Sequence, residues 1–181
     1  MSKIVNSLSK LYQNLVSHMS SNAWLRGQAE SNPTLKRLVL YECPKTQARL
    51  RYHSFVINAD ARPHDHAWSF CAHILSGGYK HALFETSQDL SILAPQPFFE
   101  YNTAPGHTYY LHCGGVHKTT VTIPTQTLIL QGPRKKKSWT RFSQNPRTYG
   151  NLANENSGTS QVSQKEYLEL LNEFKQVCRQ R

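Results

Sequence analysis

The stretch Arg62-Pro-His-Asp-His-Ala-Trp-Ser-Phe-Cys71 sets two histidines, His64 and His66, two residues apart. On a β-strand, side chains at i and i+2 leave the same face, so the two imidazoles are expected to point together. Neutral imidazole nitrogens are good donors to divalent transition metals, and a metal site needs them to converge. A third histidine, His117, ends the stretch Gly106-His-Thr-Tyr-Tyr-Leu-His-Cys-Gly-Gly-Val-His117, and a closed sheet can carry it across to the first pair. Three histidines leave other positions on an ion open to water, dioxygen or substrate, as catalytic sites require. A lone buried histidine is ordinarily a hydrogen-bonded core residue; the pair with its third member makes metal the expectation.

Other residues near these histidines bear on the chemistry. Trp68 continues the inward parity and is expected to wall a substrate pocket, although an aromatic side chain there also serves a core. Asp65 lies between the two ligands and should face away from them. Cys71, Tyr109, Tyr110 and His112 are the candidates for a catalytic part. One of the two tyrosines should turn inward and offer a phenolic proton, with ordinary packing as the simpler role. Cys71 is most simply a small buried hydrophobe. His112 precedes His117 by five residues, and the Gly-Gly between them leaves its direction open between the site and the surface. His53, His73, His81 and His107 read as structural.

The elements that must position these residues are mostly strands. Short segments rich in branched and aromatic residues, separated by turn formers, run through 37–41, 50–57, 69–76, 79–85, 90–93, 97–101, 107–112, 118–123 and 126–131. Many short strands at even spacing predict a sandwich or barrel over 36–142. An amphipathic helix is expected over 3–20 within an N-terminal segment, 1–35, and Pro33 marks a break. Residues 143–162 are poor in apolar groups and read as a loop or linker. A second helix is expected over about 163–179 within the final segment, 163–181. Ser163 and Glu166 have the spacing of a capping box, and Tyr167, Leu170, Leu171 and Phe174 form one apolar face. That face should pack on the barrel or on a second subunit.

Composition narrows the class. The chain has 181 residues, 38% of them apolar, enough for one domain with a core. No apolar run approaches the ~20 residues of a membrane span. The N-terminus shows no export signal, so a cytoplasmic location is expected. Four cysteines, none in a C-x-x-C pair, suggest thiols rather than a disulfide framework or zinc ribbon. The net charge of +10 peaks at Arg134-Lys135-Lys136-Lys137. With no nucleic-acid motif beside it, that cluster reads as a solvated strand end, not a nucleic-acid groove.

His64, His66 and Gly77 or Gly78 resemble the first motif of the cupins. Gly106, Gly114 and His117 are similar to the second, with His112 where that motif has proline. A closer resemblance is to small bacterial and phage cupins, carried by His64-Asp65-His66-Ala67-Trp68, Gly77-Gly78-Tyr79, and Gly132-Pro133-Arg134 with Trp139 and Phe142. The resemblance implies a mainly β cupin barrel, a double-stranded β-helix or jelly roll, to which the helices read from periodicity add an α-helix at each end. It also implies a homodimer formed through edge strands. The motif-one glutamate is absent, its position falling on Phe70 or Cys71. Thiol dioxygenases are similar in their three-histidine ferrous site, and in a cysteine five residues after His-x-His, here Cys71. In cysteine dioxygenase that cysteine crosslinks to a tyrosine on a late strand; residues 127–131 here hold none. Arg37 stands near the spacing of the carboxylate-binding arginine in those enzymes.

Three functions follow as expectations. The first is a non-haem Fe(II) dioxygenase acting on a small molecule. The second is a cupin isomerase, lyase or hydrolase using Zn, Mn or Ni as a Lewis acid. The third is a non-enzymatic cupin that binds a small ligand around a structural ion.

Overall fold

In the computed structural model, residues 17–18, 22–57, 62–86, 94, 96–137, 139–142 and 160–179 are described. The strand expected over 90–93, nearly all of the helix over 3–20, and most of the loop 143–162 lie outside them.

The described residues form ten strands: β1 (Glu30–Asn32), β2 (Leu35–Glu42), β3 (Arg49–Phe55), β4 (Phe70–Ser76), β5 (Lys80–Phe84), β6 (Phe99–Asn102), β7 (Thr108–Leu111), β8 (Val116–Thr120), β9 (Thr125–Gln131) and β10 (Ser160–Gln161). They form a seven-stranded sheet in the order β10-β1-β2-β3-β9-β4-β7 and a three-stranded sheet in the order β6-β5-β8. Every strand pair is antiparallel. The neighbours β3, β9 and β4 are distant in sequence, which is the crossing connectivity of a jelly roll and not of a meander. This mainly β arrangement of two antiparallel sheets with jelly-roll connectivity is the one expected. The histidine segment pairs with β8 on the small sheet, while Phe70 follows it onto the large sheet. The ligand candidates therefore sit between the sheets.

Strand ends differ from expectation at informative places. The strand expected over 118–123 begins at Val116, so His117 lies inside a strand. The short strands β1 and β10 were not foreseen, being only three and two residues long with no alternation to detect. Gly77 has a φ of +70°, and a Cβ there would stand 2.1 Å from the carbonyl oxygen of Pro124. Only glycine lets the β4–β5 turn approach the start of β9 so closely.

Helices α1 (Ala23–Gly27) and α2 (Gln164–Arg179) flank the sheets. Asn22 caps α1, its Oδ1 accepting from the N–H groups of Trp24 and Leu25. The capping box forms at α2: Glu166 Oε2 accepts from Ser163 N–H at 2.9 Å, and Ser163 Oγ accepts from Glu166 N–H at 3.2 Å. The Ser163 backbone and hydroxyl hydrogen bonds hold the Glu166 carboxyl below its ordinary value. Tyr167, Leu170, Leu171 and Phe174 are buried against Leu38, Leu40 and Tyr52 on the outer face of the large sheet. Each such side chain contributes about 1.5–3 kcal/mol of gross burial. Of the two partners anticipated for α2, it is the barrel that it covers. Among the described residues no helix is long and apolar enough to cross a membrane.

Candidate metal centre

His64 and His66 do not lie on a regular strand. His64 makes isolated bridges to both His117 and Arg141, and His66 follows in irregular chain. The convergence predicted from strand parity is achieved by these bridges instead. His64 N–H donates to the carbonyl oxygen of His117, and His117 N–H donates to that of His64, both at 2.9 Å. The three rings pack with centroids 4.6–5.1 Å apart. One nitrogen from each lies within 4.8 Å of the others, and no other such cluster of histidine, cysteine or acidic side chains occurs among the described residues.

The hydrogen bonds fix which nitrogens face inward. His64 Nδ1 lies 2.8 Å from the carbonyl oxygen of Arg62, which can only accept, so Nδ1 carries the proton and Nε2 keeps its lone pair. His66 Nε2 and His117 Nε2 are 2.9 Å apart. Two nitrogens each ~2.1 Å from a shared ion stand at about that separation when the angle between them is near 90°. His117 Nδ1 lies 2.8 Å from His81 Nε2, and His81 Nδ1 lies 2.7 Å from the Tyr101 hydroxyl. With a lone pair kept at His117 Nε2, His117 Nδ1–H donates to His81, whose Nδ1–H donates to Tyr101. Burial is the first cause holding His64, His66 and His117 below the usual histidine range, with neighbouring positive groups as a further cause. The imidazoles are therefore neutral donors at neutral pH. These features fit a divalent ion.

The cluster opens into a cavity of about 580 Å³ between the sheets. Trp68, Phe70 and Trp139 supply aromatic walls, and Arg37, Arg51 and Arg141 supply charge. Thus Arg37 and Trp68, the substrate-contact candidates, both line the cavity.

The catalytic candidates are separated by the fold. Tyr109 turns inward: its hydroxyl is 2.7 Å from that of Tyr79, and its ring is 4.5 Å from that of His81. It packs behind the triad and does not line the cavity. Burial pushes its phenol well up. Cys71 and Tyr110 are paired across β4 and β7 on the outer face, where Tyr110 is exposed. Strand alternation explains this, because Phe70 and Ala72 take the inward positions. His112 is exposed in the turn before β8. The structure therefore brings neither Cys71, Tyr110 nor His112 to the triad.

Sequence reasoning missed three contributors. His81, read as structural, directly supports His117; its inward parity with Leu83 on β5 was the available signal. Trp139 and Arg141 reach the site because the segment after β9 folds back onto His64. The basic cluster, expected to be a solvated strand end, is in part tied to the protein. Lys136 Nζ pairs with the fully buried Asp65 carboxylate, and the backbone of Lys135 and Lys136 donates to Ala67 O. Asp65 faces away from the triad, as anticipated, and also accepts from Thr140 N–H.

No known family and no curated protein matches this chain by sequence. Among solved structures it is similar to KdgF from Halomonas sp., at 16% identity and a TM-score of 0.45, covering 57% of this chain and 83% of that one. It is also similar to the polyketide cyclase RemF from Streptomyces resistomycificus, at 15% identity and a TM-score of 0.45, covering 65% and 77%. A cupin superfamily protein from Desulfitobacterium hafniense matches at 10% identity and a TM-score of 0.41, covering 57% and 81%.

Proposed function

We propose that this chain is a metal-dependent enzyme acting on a small molecule, with one divalent ion held by His64, His66 and His117. The observation that carries it is the 2.9 Å approach of two imidazole nitrogens, with the third histidine beside them, at the wall of a cavity of about 580 Å³. That volume lies within the range of small-molecule sites.

Ferrous iron with dioxygen as co-substrate is the leading chemistry. Three neutral donors leave the full positive charge on the ion, and the nearest acid in sequence, Asp65, is committed to Lys136. Bound there, the ion would supply an electrophilic, redox-capable centre. The chain's own residues have separable tasks. The backbone pairing of His64 with His117 fixes two ligands, and His81 holds His117 in one tautomer. Trp68, Phe70 and Trp139 exclude water from the space beside the triad, and the arginines offer charge to a substrate.

The test is reconstitution of the full chain with Fe(II), Mn(II), Ni(II) or Zn(II), followed by metal analysis and oxygen uptake with a panel of small thiols and amino-acid derivatives. Stoichiometric binding lost in His64→Ala, with oxygen consumption by the ferrous form, is expected. Turnover that persists without oxygen would replace the dioxygenase reading with Lewis-acid chemistry. Absence of stoichiometric binding by any of the four ions would remove the enzyme reading altogether.

A further inference from the structure

The inner face of the large sheet carries a charge that no ion pair among the described residues offsets. β3 turns Arg51, His53 and Phe55 into the cavity, and Arg37 on β2 stands opposite His53. Arg51 is only 7% exposed, and its Nε has no hydrogen-bond partner. Two neighbours share this condition: Nε of Arg37 and Nε2 of His53 are also buried without one. Arg37 at least has the Glu30 carboxylate 3.3 Å away, and this pair is neutral overall. No ion-pair partner of Arg51 lies among the described residues. The Trp68 ring centroid is 6.0 Å from its guanidinium carbon, a cation–π contact that leaves the guanidinium's charge without a counter-ion.

A buried guanidinium is costly to keep unless an anion meets it. Burial first, and the charge of Arg37 second, pull Arg51 down to about 10, which still leaves it protonated at neutral pH. A sequence need not retain such a group for stability, since an apolar side chain would fit the same barrel interior at lower cost.

We propose that this end of the cavity is an anion subsite in which Arg51, with Arg37 and His53 beside it, holds the carboxylate of a small organic acid. Two observations favour a carboxylate over a phosphate. Among Arg51, Arg37, His53 and Glu30, the Glu30 carboxylate offsets Arg37 and one positive charge remains, matching a monoanion. The Glu30 carboxylate would oppose the second charge of a phosphate dianion. The planar guanidinium fork can meet two oxygens of either anion, so the charge balance makes the choice. Phe55, Trp68 and Phe70 line the space next to it and suit an apolar body on the acid. The triad lines the same cavity, so the acid's other end would face the ion. The proposal rests on the cavity being the substrate site, but the anion contact itself does not need the ion.

The probe is benzoate, with benzamide as its neutral isostere and inorganic phosphate as the competing anion, added to the full chain with and without metal. Trp68 and Trp139 line the cavity, so quenching of tryptophan fluorescence reports occupancy, and the thermal midpoint gives a second readout. Saturable binding of benzoate is expected in both forms, with benzamide and phosphate weaker by about tenfold or more. Arg51→Met should lose benzoate affinity about tenfold or more and also lose the rise in midpoint, while its metal stoichiometry is unchanged. Without ligand, Arg51→Met should melt at or above the wild-type midpoint, because an unpaired buried charge has been removed. Arg51→Lys keeps the charge without the fork and should fall between.

Benzoate binding that survives Arg51→Met, or a wild-type chain that binds no benzoate, would overturn the subsite. So would an Arg51→Met chain that unfolds at lower temperature, since Arg51 would then be structural. Stronger binding of phosphate than of benzoate would overturn the carboxylate assignment. Loss of metal binding with benzoate binding intact would instead sink the metalloenzyme proposal and leave the subsite standing.

Discussion

His64 and His117 donate their backbone N–H groups to each other's carbonyl oxygens, at 2.9 Å in both directions. Two of the three candidate ligands are thus tied together by main chain, as a hydrogen-bonded antiparallel pair, before any ion enters. The backbone pairing makes the placement of these two histidines part of the fold.

Chelation should therefore leave the protein folded. After metal removal, far-UV circular dichroism is expected to be retained and the thermal transition to stay cooperative. Adding back an ion at 100 times its Kd should stabilise the chain by about 2.7 kcal/mol, read as a concentration-dependent rise in midpoint. A metal-free chain without a cooperative transition would show that the ion organises the site.

His81 Nε2 accepts from His117 Nδ1–H at 2.8 Å, and its single ring N–H, at Nδ1, donates to the Tyr101 hydroxyl. Replacing such a partner of a ligating histidine commonly costs about 10–100-fold in metal affinity. His81→Phe should show a loss of that size in a competitive metal titration. His81→Asn, which can still accept from His117, should recover part of it. Equal affinities for both variants and wild type would contradict the positioning role.

Asp65 and Lys136 form an unequal pair. The carboxylate is fully buried, whereas the Lys136 side chain is 29% exposed. Lys136→Met strands a buried charge and is expected to destabilise the chain by about 3–5 kcal/mol. Asp65→Asn keeps an acceptor for Thr140 N–H and leaves Lys136 able to reach water, so about 1–3 kcal/mol is expected. Denaturant midpoints of the two variants test the order; a milder effect of Lys136→Met would contradict it.

The buried histidines also give the metal-free protein an acid-sensitive stability. Burial first, then Arg37 and Arg51, hold His53 well below its ordinary value. Its folded pKa lies below the unfolded one, so the unfolded chain takes up a proton that the native chain refuses. That contribution is complete above the unfolded value of ~6.5 and is lost as pH falls below it, by at most about 1.4 kcal/mol per pH unit. Stability measured between pH 7 and pH 5 should have a shallower slope in His53→Gln. An unchanged slope would mean that His53 is protonated in the native state.

The sequence made some of this legible and hid the rest for physical reasons. Strand periodicity located most of the described strands, and the Ser163–Glu166 box fixed the start of α2, because both are local signals. The triad was readable because His64 and His66 share a short segment and His117 lies near turn glycines. Cys71 and Tyr110 fell on the outer face by simple strand alternation once β4 and β7 were in place. Their chemical types had suggested a site that their parity denies them. The support of His117 by His81, the return of Trp139 and Arg141 to His64, and the burial of Lys136 on Asp65 are contacts between distant segments. No local pattern encodes them. The unpartnered Arg51 was likewise invisible, since an arginine within a strand reads as solvated until the opposite sheet covers it.

X-ray absorption of the metal-loaded full chain, paired with metal content per chain, tests the central claim most directly. One ion per chain is predicted, with scattering from three imidazole ligands, falling to no stoichiometric binding in His64→Ala, His66→Ala and His117→Ala variants that still fold. An ion retained at full stoichiometry in the triple variant, or one coordinated by thiolate or carboxylate in place of these histidines, would contradict the account.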